Sequence, residues 1–341
     1  MKALSSQTAS ASLAALLILI CLESAEGAAA KNEKISPPLE KKIDRVRPPV
    51  PSPIAGKTWL TEFDTSPFPY DGQMLGTNTR FLNATNGKRK GHRSGSGRVY
   101  WQDETYRERR VLLLVPKDFE VARPGVIVVF FHGHLAKLGR DVLDRQKVPA
   151  QISASGINAV LVVPQFAIDA QDSSAGKFWE PGAFNRFVRE AASKLGALHG
   201  DARASQAFAN MPVVIVAYSG GYLAASWCLR VGGAQNRVRG VILLDALYGE
   251  VDKFAAWIEK NRTRFFVSAY TSSTENNNAA LKSILTQQKI TYETDLRQQK
   301  WQHGVTFLST KPNVEHWEFV TRAWTEHPIK DLLSRLDEYR R

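Results

Sequence analysis

The chain has 341 residues, of which 43% are hydrophobic and 23% charged, with 23 Gly and 16 Pro. This composition excludes a disordered, fibrous or coiled-coil protein and allows one large domain or two small ones. The two Cys exclude a disulfide scaffold and lack the CxxC spacing of a zinc site. The formal net charge of +12 favours contact with an anionic surface or keeps the protein in solution.

Residues 1–27 have the pattern of a secretory signal peptide. Lys2 precedes an apolar run at 14–21, and small residues follow near position 27. The run is shorter than the ~20 apolar residues of a transmembrane helix. The bulky Ile20 before Cys21 argues against a lipid-modified cysteine. The segment therefore predicts export, with a periplasmic or extracellular location.

The next segment has the composition of a linker. Residues 28–57 are rich in Pro and charge and lack apolar periodicity, so folding is expected to begin near position 58. Residues 58–97 look loop-rich and are expected to wrap a single domain that spans 58–341. The basic run at 88–93 lies among Gly and Ser without interleaved aromatic residues, which argues against nucleic-acid binding. The overall basic charge suits peripheral contact with an anionic envelope surface and, equally well, a solvated surface that keeps the protein in solution.

After position 98, short and almost wholly apolar runs alternate with helical patterns. Runs that are apolar at every position are typical of strands in a parallel sheet covered by helices on both faces. The alternation predicts an α/β fold with a doubly wound, mostly parallel sheet of about seven or eight strands. No insertion between the later strands is long enough for a large lid domain. The predicted strands are 110–115, 126–131, 159–163, 213–217, 241–244, 265–269 and 305–308, and the predicted helices are 139–153, 183–198, 221–231, 251–260, 277–288 and 317–324.

Ser219 occupies the centre of AYSGG, between an apolar strand and a helical segment. A side chain at the apex of a sharp strand-to-helix turn needs small residues two positions away on either side, and Ala217 and Gly221 meet this requirement. The alternative is a simple Ser-Gly turn that caps a helix. The position of the pentapeptide within an alternating chain favours a nucleophile elbow.

The strand 126–131 leads into His132, Gly133 and His134. Its following loop is expected beside the elbow, where the backbone N–H of His134 or Leu135 would join that of Gly220 in an oxyanion hole. Successive residues where a strand enters a loop point in different directions, and the sequence has no third ligand near His132 and His134, so no metal site is predicted. His132 is interpreted as a loop-packing residue.

Two further groups complete a candidate triad. Asp245 ends an apolar strand, where a carboxylate needs a partner, and His316 lies in the loop after the last strand. Serine attack requires a base within reach and a carboxylate that fixes the tautomer of that base. We predict Ser219 as nucleophile, Asp245 as acid and His316 as base. Glu275, within TSSTENN, is the competing acid.

From about position 98 the chain resembles the α/β-hydrolase superfamily. The resemblance rests on the motifs FFHGH and AYSGG, on the carboxylate of Asp245 after the next strand, and on the HW pair at 316–317. The resemblance implies an eight-stranded sheet, a serine nucleophile in an acyl- or ester-cleaving reaction, and no cofactor. Two features depart from the family. Ala217 replaces the first Gly of the elbow. The acid of the family commonly follows its seventh strand, whereas Asp245 follows the strand that corresponds to the family's sixth, which is the predicted strand 241–244.

The long loop after 159–163 is polar and aromatic, and such loops tend to be functional. Gln165, Phe166 and Trp179 are its candidate substrate contacts, although Trp179 is equally suited to anchoring the loop.

The predicted function is that of an exported serine hydrolase. It would cleave an ester of a small molecule or of the cell envelope, such as an acylated glycan or a small lipid, through an acyl-enzyme. The lack of a large lid predicts short acyl chains. An acyltransferase with the same triad and a noncatalytic envelope-binding protein are the alternatives.

Overall fold

The computed structural model describes residues 56–77, 79–201, 203–296, 301–310 and 313–341. The predicted signal peptide and all but the last two residues of the predicted linker lie outside the described residues. Within the described ranges, no helix has both the length and the apolar content needed to cross a membrane.

The described residues form thirteen strands and eight α-helices, with additional short helical turns. The strands are β1 Gly56–Glu62, β2 Gln73–Met74, β3 Thr79–Arg80, β4 Ala84–Asn86, β5 Arg89–Arg93, β6 Val99–Trp101, β7 Arg110–Pro116, β8 Val126–Phe131, β9 Ala159–Pro164, β10 Val213–Tyr218, β11 Val238–Leu244, β12 Phe265–Tyr270 and β13 Gly304–Ser309. The α-helices are α1 Gln102–Thr105, α2 Val148–Ser153, α3 Ala183–His199, α4 Ala204–Asn210, α5 Tyr222–Val231, α6 Val251–Lys260, α7 Glu275–Gln287 and α8 Pro328–Leu333. A π-helix covers Leu138–Arg145, and 3₁₀ turns cover Gly176–Trp179, Ser219–Gly221, His316–Val320 and Asp337–Tyr339.

Eight strands form the central sheet, in the order β1-β7-β9-β8-β10-β11-β12-β13. β7 runs antiparallel to its neighbours β1 and β9, and every other neighbouring pair is parallel. The predicted α/β-hydrolase-like, doubly wound and mostly parallel sheet is thereby confirmed. The parallel strands β8, β10, β11 and β12 bring their carboxyl ends to one edge, where such folds place ligand sites.

The sheet is buried on both faces because successive side chains of each strand enter different cores. In β8, Ile127 and Val129 belong to one core cluster, whereas Val126 and Val128 belong to the other. The first cluster includes buried residues of α3, α5, α6 and α7, and the second includes those of α2 and α8. This two-sided burial accounts for the continuous apolar runs in the sequence.

The N-terminal part of the fold differs from the loop-rich segment expected at 58–97. β1 begins at Gly56 and forms the edge strand of the central sheet, and five more short strands follow before α1. Phe63, Phe68 and Phe81 are fully buried in the first core cluster. The segment looks loop-like in sequence because its strands are short and its buried aromatic residues are separated by turn residues.

Two of the predicted helices differ in the structure from the sequence-based expectation. The single helix expected at 139–153 is divided into the π-helix Leu138–Arg145 and α2, with Lys147 at a φ of +50° between them. Pro149 has no N–H to donate to a preceding turn, so it favours a new helix start. The helix expected at 317–324 is only the 3₁₀ turn His316–Val320.

Candidate active site

Ser219 lies at a sharp turn between β10 and α5. Its φ is +53°, a left-handed conformation that non-glycine residues rarely adopt. A side chain on Gly221 would approach the carbonyl oxygen of Phe131 to 2.4 Å, so this position requires glycine. Ala217, near the end of β10, is fully buried. The strand, turn and helix predicted around Ser219 are therefore present, and their close packing explains the small neighbours.

Ser219, His316 and Asp245 form a continuous hydrogen-bonded chain. The Oγ of Ser219 lies 2.8 Å from Nε2 of His316, and Nδ1 of His316 lies 2.6 Å from Oδ2 of Asp245. β10 and β11 pair in register through Tyr218 and Leu244, which brings the residues after both strands side by side. The arrangement leaves His316 able to take a proton from Ser219 while its other nitrogen donates to the carboxylate.

Asp245 is fully buried and accepts several hydrogen bonds from the loop after β12. Its Oδ1 accepts from the backbone N–H of Thr271 and the hydroxyl of Thr274, at 3.1 and 2.7 Å. Its Oδ2 accepts from the hydroxyls of Thr271 and Ser273, at 3.1 and 2.8 Å. Burial by itself would raise the pKa of Asp245, but the hydrogen bonds from His316 and this loop lower it below its ordinary value. The carboxylate is therefore held ionised despite its burial.

These hydroxyl donors were not predicted from the sequence. Every residue of TSSTENN is polar, yet Thr274 is almost fully buried and its hydroxyl donates to Asp245. The signal was present in the run of hydroxyl residues after a strand, since short side chains of this type donate readily to a neighbouring carboxylate. Glu275, the competing acid, is exposed in the first turn of α7. Its position is favourable for a negative charge near a helix N-terminus, and the carboxylate that accepts the hydrogen bond from Nδ1 of His316 is instead that of Asp245.

Two tyrosine rings contact the imidazole of His316. The ring of Tyr218 stacks on it at a centroid distance of 5.0 Å, and that of Tyr248 meets it edge-on at 5.9 Å. The hydroxyl of Tyr248 lies 3.1 Å from the Oγ of Ser273 and 3.4 Å from Nδ1 of His316. Neither tyrosine was predicted as a site residue, because their rings reach the histidine only through the three-dimensional fold.

The loop after β8 lies against the turn that carries Ser219. A side chain on Gly133 would approach Cβ of Ser219 to 2.7 Å, and one on Gly220 would meet the ring of His134 at 2.5 Å. Nε2 of His134 lies 2.7 Å from the Oγ of Ser173. The loop thus reaches the neighbourhood of Ser219, as the sequence predicted.

Of the two oxyanion donors considered on this loop, Leu135 already has an acceptor. Its N–H donates to the carbonyl of Ala170 at 2.9 Å. Among the described residues, the N–H of His134 has no such backbone acceptor. The geometry therefore favours His134, together with Gly220, over Leu135.

His132 is a packing residue at the base of this loop. It is almost fully buried, its Nε2 accepts the N–H of Phe166 at 2.9 Å, and its Nδ1 donates to the carbonyl of Gly133 at 2.8 Å. Burial lowers its pKa to about 4. The imidazole is therefore neutral at ordinary pH and has both nitrogens engaged. Within the described ranges, no cluster of His, Cys, Asp or Glu has the arrangement of a metal site.

The three candidate substrate contacts are buried in protein. The amide of Gln165 donates to the carbonyl of Ala136 and accepts the N–H of Leu138, at 2.9 and 3.0 Å. Phe166 and Trp179 belong to the first core cluster. Their burial favours a role in holding the loop in place, which was the alternative considered for Trp179, over direct contact with a substrate.

Gln165 also borders a cavity of about 700 Å³ with mainly charged walls, including Arg107 and Lys137. None of its lining residues is Ser219, Asp245 or His316. The cavity is therefore a separate feature from the hydrogen-bonded chain.

No family model and no curated protein matches the chain. Solved structures with a similar fold include a mutant of the feruloyl esterase module from Clostridium thermocellum complexed with sinapinate, at 14% identity and a TM-score of 0.47, covering 80% of this chain and 96% of that one. An S-formylglutathione hydrolase from Agrobacterium tumefaciens is similar at 12% identity and a TM-score of 0.43, covering 79% of this chain and 100% of that one. Brefeldin A esterase, described as a bacterial homologue of human hormone sensitive lipase, is similar at 14% identity and a TM-score of 0.39, covering 80% and 81%. The fold of this chain is defined by its own strand order.

Proposed function

We propose that this chain is a serine hydrolase that cleaves carboxylic esters through an acyl-enzyme. The observation that supports it most directly is the hydrogen-bonded chain from Ser219 through His316 to the buried Asp245. A hydroxyl at the apex of a strand-to-helix turn, a histidine within reach and an ionised carboxylate behind that histidine together suit nucleophilic acyl transfer.

In the proposed reaction, the Oγ of Ser219 attacks the ester carbonyl while Nε2 of His316 accepts its proton. The tetrahedral intermediate carries its negative charge near the N–H groups of Gly220 and His134, which stabilise it electrostatically. The carbon–oxygen bond to the alcohol then breaks, and His316 returns the proton to the leaving oxygen. A water molecule then attacks the acyl-enzyme while His316 accepts its proton. His316 returns this proton to the Oγ of Ser219, and the carboxylic acid is released. Asp245 fixes the tautomer of His316 throughout and stabilises the imidazolium.

The test is labelling with a fluorophosphonate, followed by mass spectrometry of the modified peptide. We expect the full-length protein to be labelled on Ser219 and the Ser219→Ala variant to remain unlabelled. Ser226 provides a matched control, because it is also buried but donates to the carbonyl of Leu223 within α5. Ser226→Ala should label like the wild type. Absence of any labelling in the folded protein would favour a noncatalytic binding protein on the same fold.

The products formed from one ester distinguish a hydrolase from an acyltransferase. An ethyl ester incubated with an excess of a second alcohol should give mainly free acid if the protein is a hydrolase. Mainly the exchanged ester would identify an acyltransferase and contradict the proposal.

We further propose that the protein is exported, with residues 1–27 as a cleaved signal peptide and a peripheral affinity for anionic envelope surfaces. The support is the sequence of this segment and the net charge of +12. Expression of the full chain, cell fractionation and N-terminal sequencing of the mature protein test export. Recovery of the intact N-terminus in the cytoplasm would contradict it. Co-sedimentation with anionic but not neutral vesicles tests the surface affinity.

A further inference from the structure

The hydroxyl of Ser173, in the long loop after β9, lies beside the proposed oxyanion donor Gly220. A side chain on Gly220 would approach the Oγ of Ser173 to 2.8 Å and Nε2 of His134 to 2.7 Å. These two groups also contact each other, at 2.7 Å. Both therefore border the space next to Gly220, where the proposed reaction places the oxygen that becomes negatively charged.

The spacing between Ser173 and Gly220 suits two donors to one oxygen. The position of a Cβ on Gly220 is about 2.5 Å from the backbone nitrogen of the same residue, across one tetrahedral carbon. The Oγ of Ser173 is 2.8 Å from that position and therefore at most about 5.3 Å from this nitrogen. Hydrogen bonds of about 2.9 Å from the N–H and about 2.7 Å from the hydroxyl reach one acceptor from donors up to about 5.6 Å apart. One oxygen can thus accept from both groups.

The residues on both sides of Ser173 are held by other parts of the fold. The carboxylate of Asp172 accepts from the hydroxyl of the fully buried Tyr106 at 2.7 Å. Ser174 is also buried, and its hydroxyl donates to the same carboxylate at 2.8 Å. These contacts fix the backbone, whereas the hydroxyl of Ser173 is directed toward Gly220. A donor that is fixed before the substrate binds needs little reorganisation during the reaction.

The imidazole of His134 holds the hydroxyl of Ser173 and can leave its proton available. Partial burial of the ring lowers the pKa of His134 below its ordinary value, against the opposite effect of Asp172, so the imidazole is neutral at ordinary pH. Within the described ranges, its Nδ1 has no hydrogen-bond partner. When Nε2 carries the proton it donates to the Oγ of Ser173, whose own proton can then donate to a third atom. Negative charge beside Gly220 favours this arrangement, because hydrogen bonds to ions are stronger.

We infer that Ser173 is a catalytic residue whose hydroxyl donates a third hydrogen bond to the oxyanion, and that the imidazole of His134 positions it. The inference rests on the proposed function of the same site. During attack, a bond forms between the Oγ of Ser219 and the acyl carbon, and the π electrons of the carbonyl move to its oxygen. The proton of Ser219 passes to His316. Ser173 keeps its own proton and acts only as a hydrogen-bond donor.

The test compares Ser173→Ala with the wild type in the hydrolysis of ethyl acetate. Loss of a donor to the transition state should lower kcat by on the order of 10²-fold. KM should stay within about twofold, because the bond forms only as negative charge develops. Trifluoroacetone adds to Ser219 and forms a hemiketal with a negatively charged oxygen in the same place, so its inhibition constant should rise by a similar factor. Thermal unfolding checks that the variant is folded.

A double variant tests the role of the imidazole. His134→Phe keeps a ring and the backbone N–H but removes Nε2, and it should lower kcat by up to about tenfold, the size of one hydrogen bond. In the Ser173→Ala background the same change should cost less than about twofold, because the hydroxyl that Nε2 holds is already absent. Losses that multiply in full would contradict the positioning role of His134.

Ser226→Ala is the matched control, because this buried serine donates to the carbonyl of Leu223 within α5. It should change neither kcat nor the inhibition constant. Wild-type kcat in a folded Ser173→Ala variant, or a raised KM with unchanged kcat, would overturn the inference. Fluorophosphonate labelling of Ser219 in that variant would show that the proposed function is still intact. A wild type that is not labelled at all would instead refute the proposed function.

Discussion

The imidazole of His316 stacks on the phenol ring of Tyr218, with centroids 5.0 Å apart and planes inclined by 23°. Tyr218 is the last residue of β10 and directly precedes Ser219. The end of one strand therefore positions both the proposed nucleophile and one face of the proposed base. Because Tyr218 is itself buried, it acts on the reaction through the orientation of His316 rather than by contact with substrate.

Replacement of Tyr218 by Leu should lower kcat for ethyl acetate by up to about tenfold, because an aromatic pair contributes ~0.5–1.5 kcal/mol beyond its buried area. KM should change little. Tyr218→Phe keeps the stacked ring and should retain nearly the wild-type rate. Steady-state kinetics of the two variants, with thermal unfolding as a check on folding, provide the measurement. Equal losses in Leu and Phe variants would mean that the hydroxyl, rather than the ring, matters.

The assignment of the acid is tested by a pair of variants. Asp245→Asn removes the carboxylate that accepts from Nδ1 of His316 and should reduce kcat by on the order of 10⁴-fold, through loss of the correct tautomer. Glu275→Gln changes an exposed side chain in α7 and should leave kcat within about twofold of the wild type. The opposite ranking, in two variants that are both shown to be folded at the assay temperature, would transfer the role of acid to Glu275.

Asp245 also gives the stability a defined pH dependence. The folded protein lowers the pKa of Asp245, whereas in the unfolded chain it is about 3.9. Folding therefore favours the ionised form, so this contribution is fully present above about pH 4 and is lost as the pH falls through the folded pKa. In urea unfolding, the stability difference between wild type and Asp245→Asn should be largest at neutral pH and should shrink in acid. A difference that stays constant down to pH 3 would contradict this origin.

Acyl-chain length provides a further prediction. The connection between β11 and β12, residues 245–264, contains only α6 and leaves no room for a large lid. Long acyl chains need an extended apolar cover that such a lid would supply. We therefore expect acetate and butyrate esters to be hydrolysed faster than long-chain triglycerides. A substrate series with one alcohol and increasing acyl length is the measurement, and a rate that rises beyond butyrate would contradict the expectation.

The sheet and the order of Ser219, Asp245 and His316 could be predicted because each depends on local sequence. A strand buried on both faces must be apolar at every position, and a turn as tight as that at Ser219 must have small neighbours. Both requirements can be recognised in the sequence itself, as an unbroken apolar run and as small residues on either side of Ser219. β1 could not be found in this way, because its side chains are mostly exposed and its place in the sheet depends on pairing with β7.

The surroundings of the candidate site were less predictable, for a related reason. Thr271, Ser273 and Thr274 look like any polar loop until the fold brings them to Asp245. Gln165 and Trp179 look like exposed loop residues until their partners are known. A polar or aromatic side chain in a loop has several possible environments, and only distant parts of the chain determine which one it occupies.

The close packing behind Ser219 gives the last prediction. A methyl group on Gly221 would lie 2.4 Å from the carbonyl oxygen of Phe131 and 3.0 Å from its Cβ, and Phe131 is part of a central strand that cannot easily move. Gly221→Ala should therefore force β8 away from the turn, lower the free energy of unfolding by ~1–3 kcal/mol and reduce hydrolysis as Ser219 shifts relative to His316.

Gly139→Ala is the control, because a side chain there meets nothing within 4 Å. Alanine lowers the backbone entropy of the unfolded chain, so this variant should be as stable as the wild type or slightly more stable. Urea unfolding and ethyl acetate hydrolysis of both variants provide the measurements. If Gly221→Ala is as stable and as active as Gly139→Ala, then the contact with Phe131 does not determine the position of Ser219.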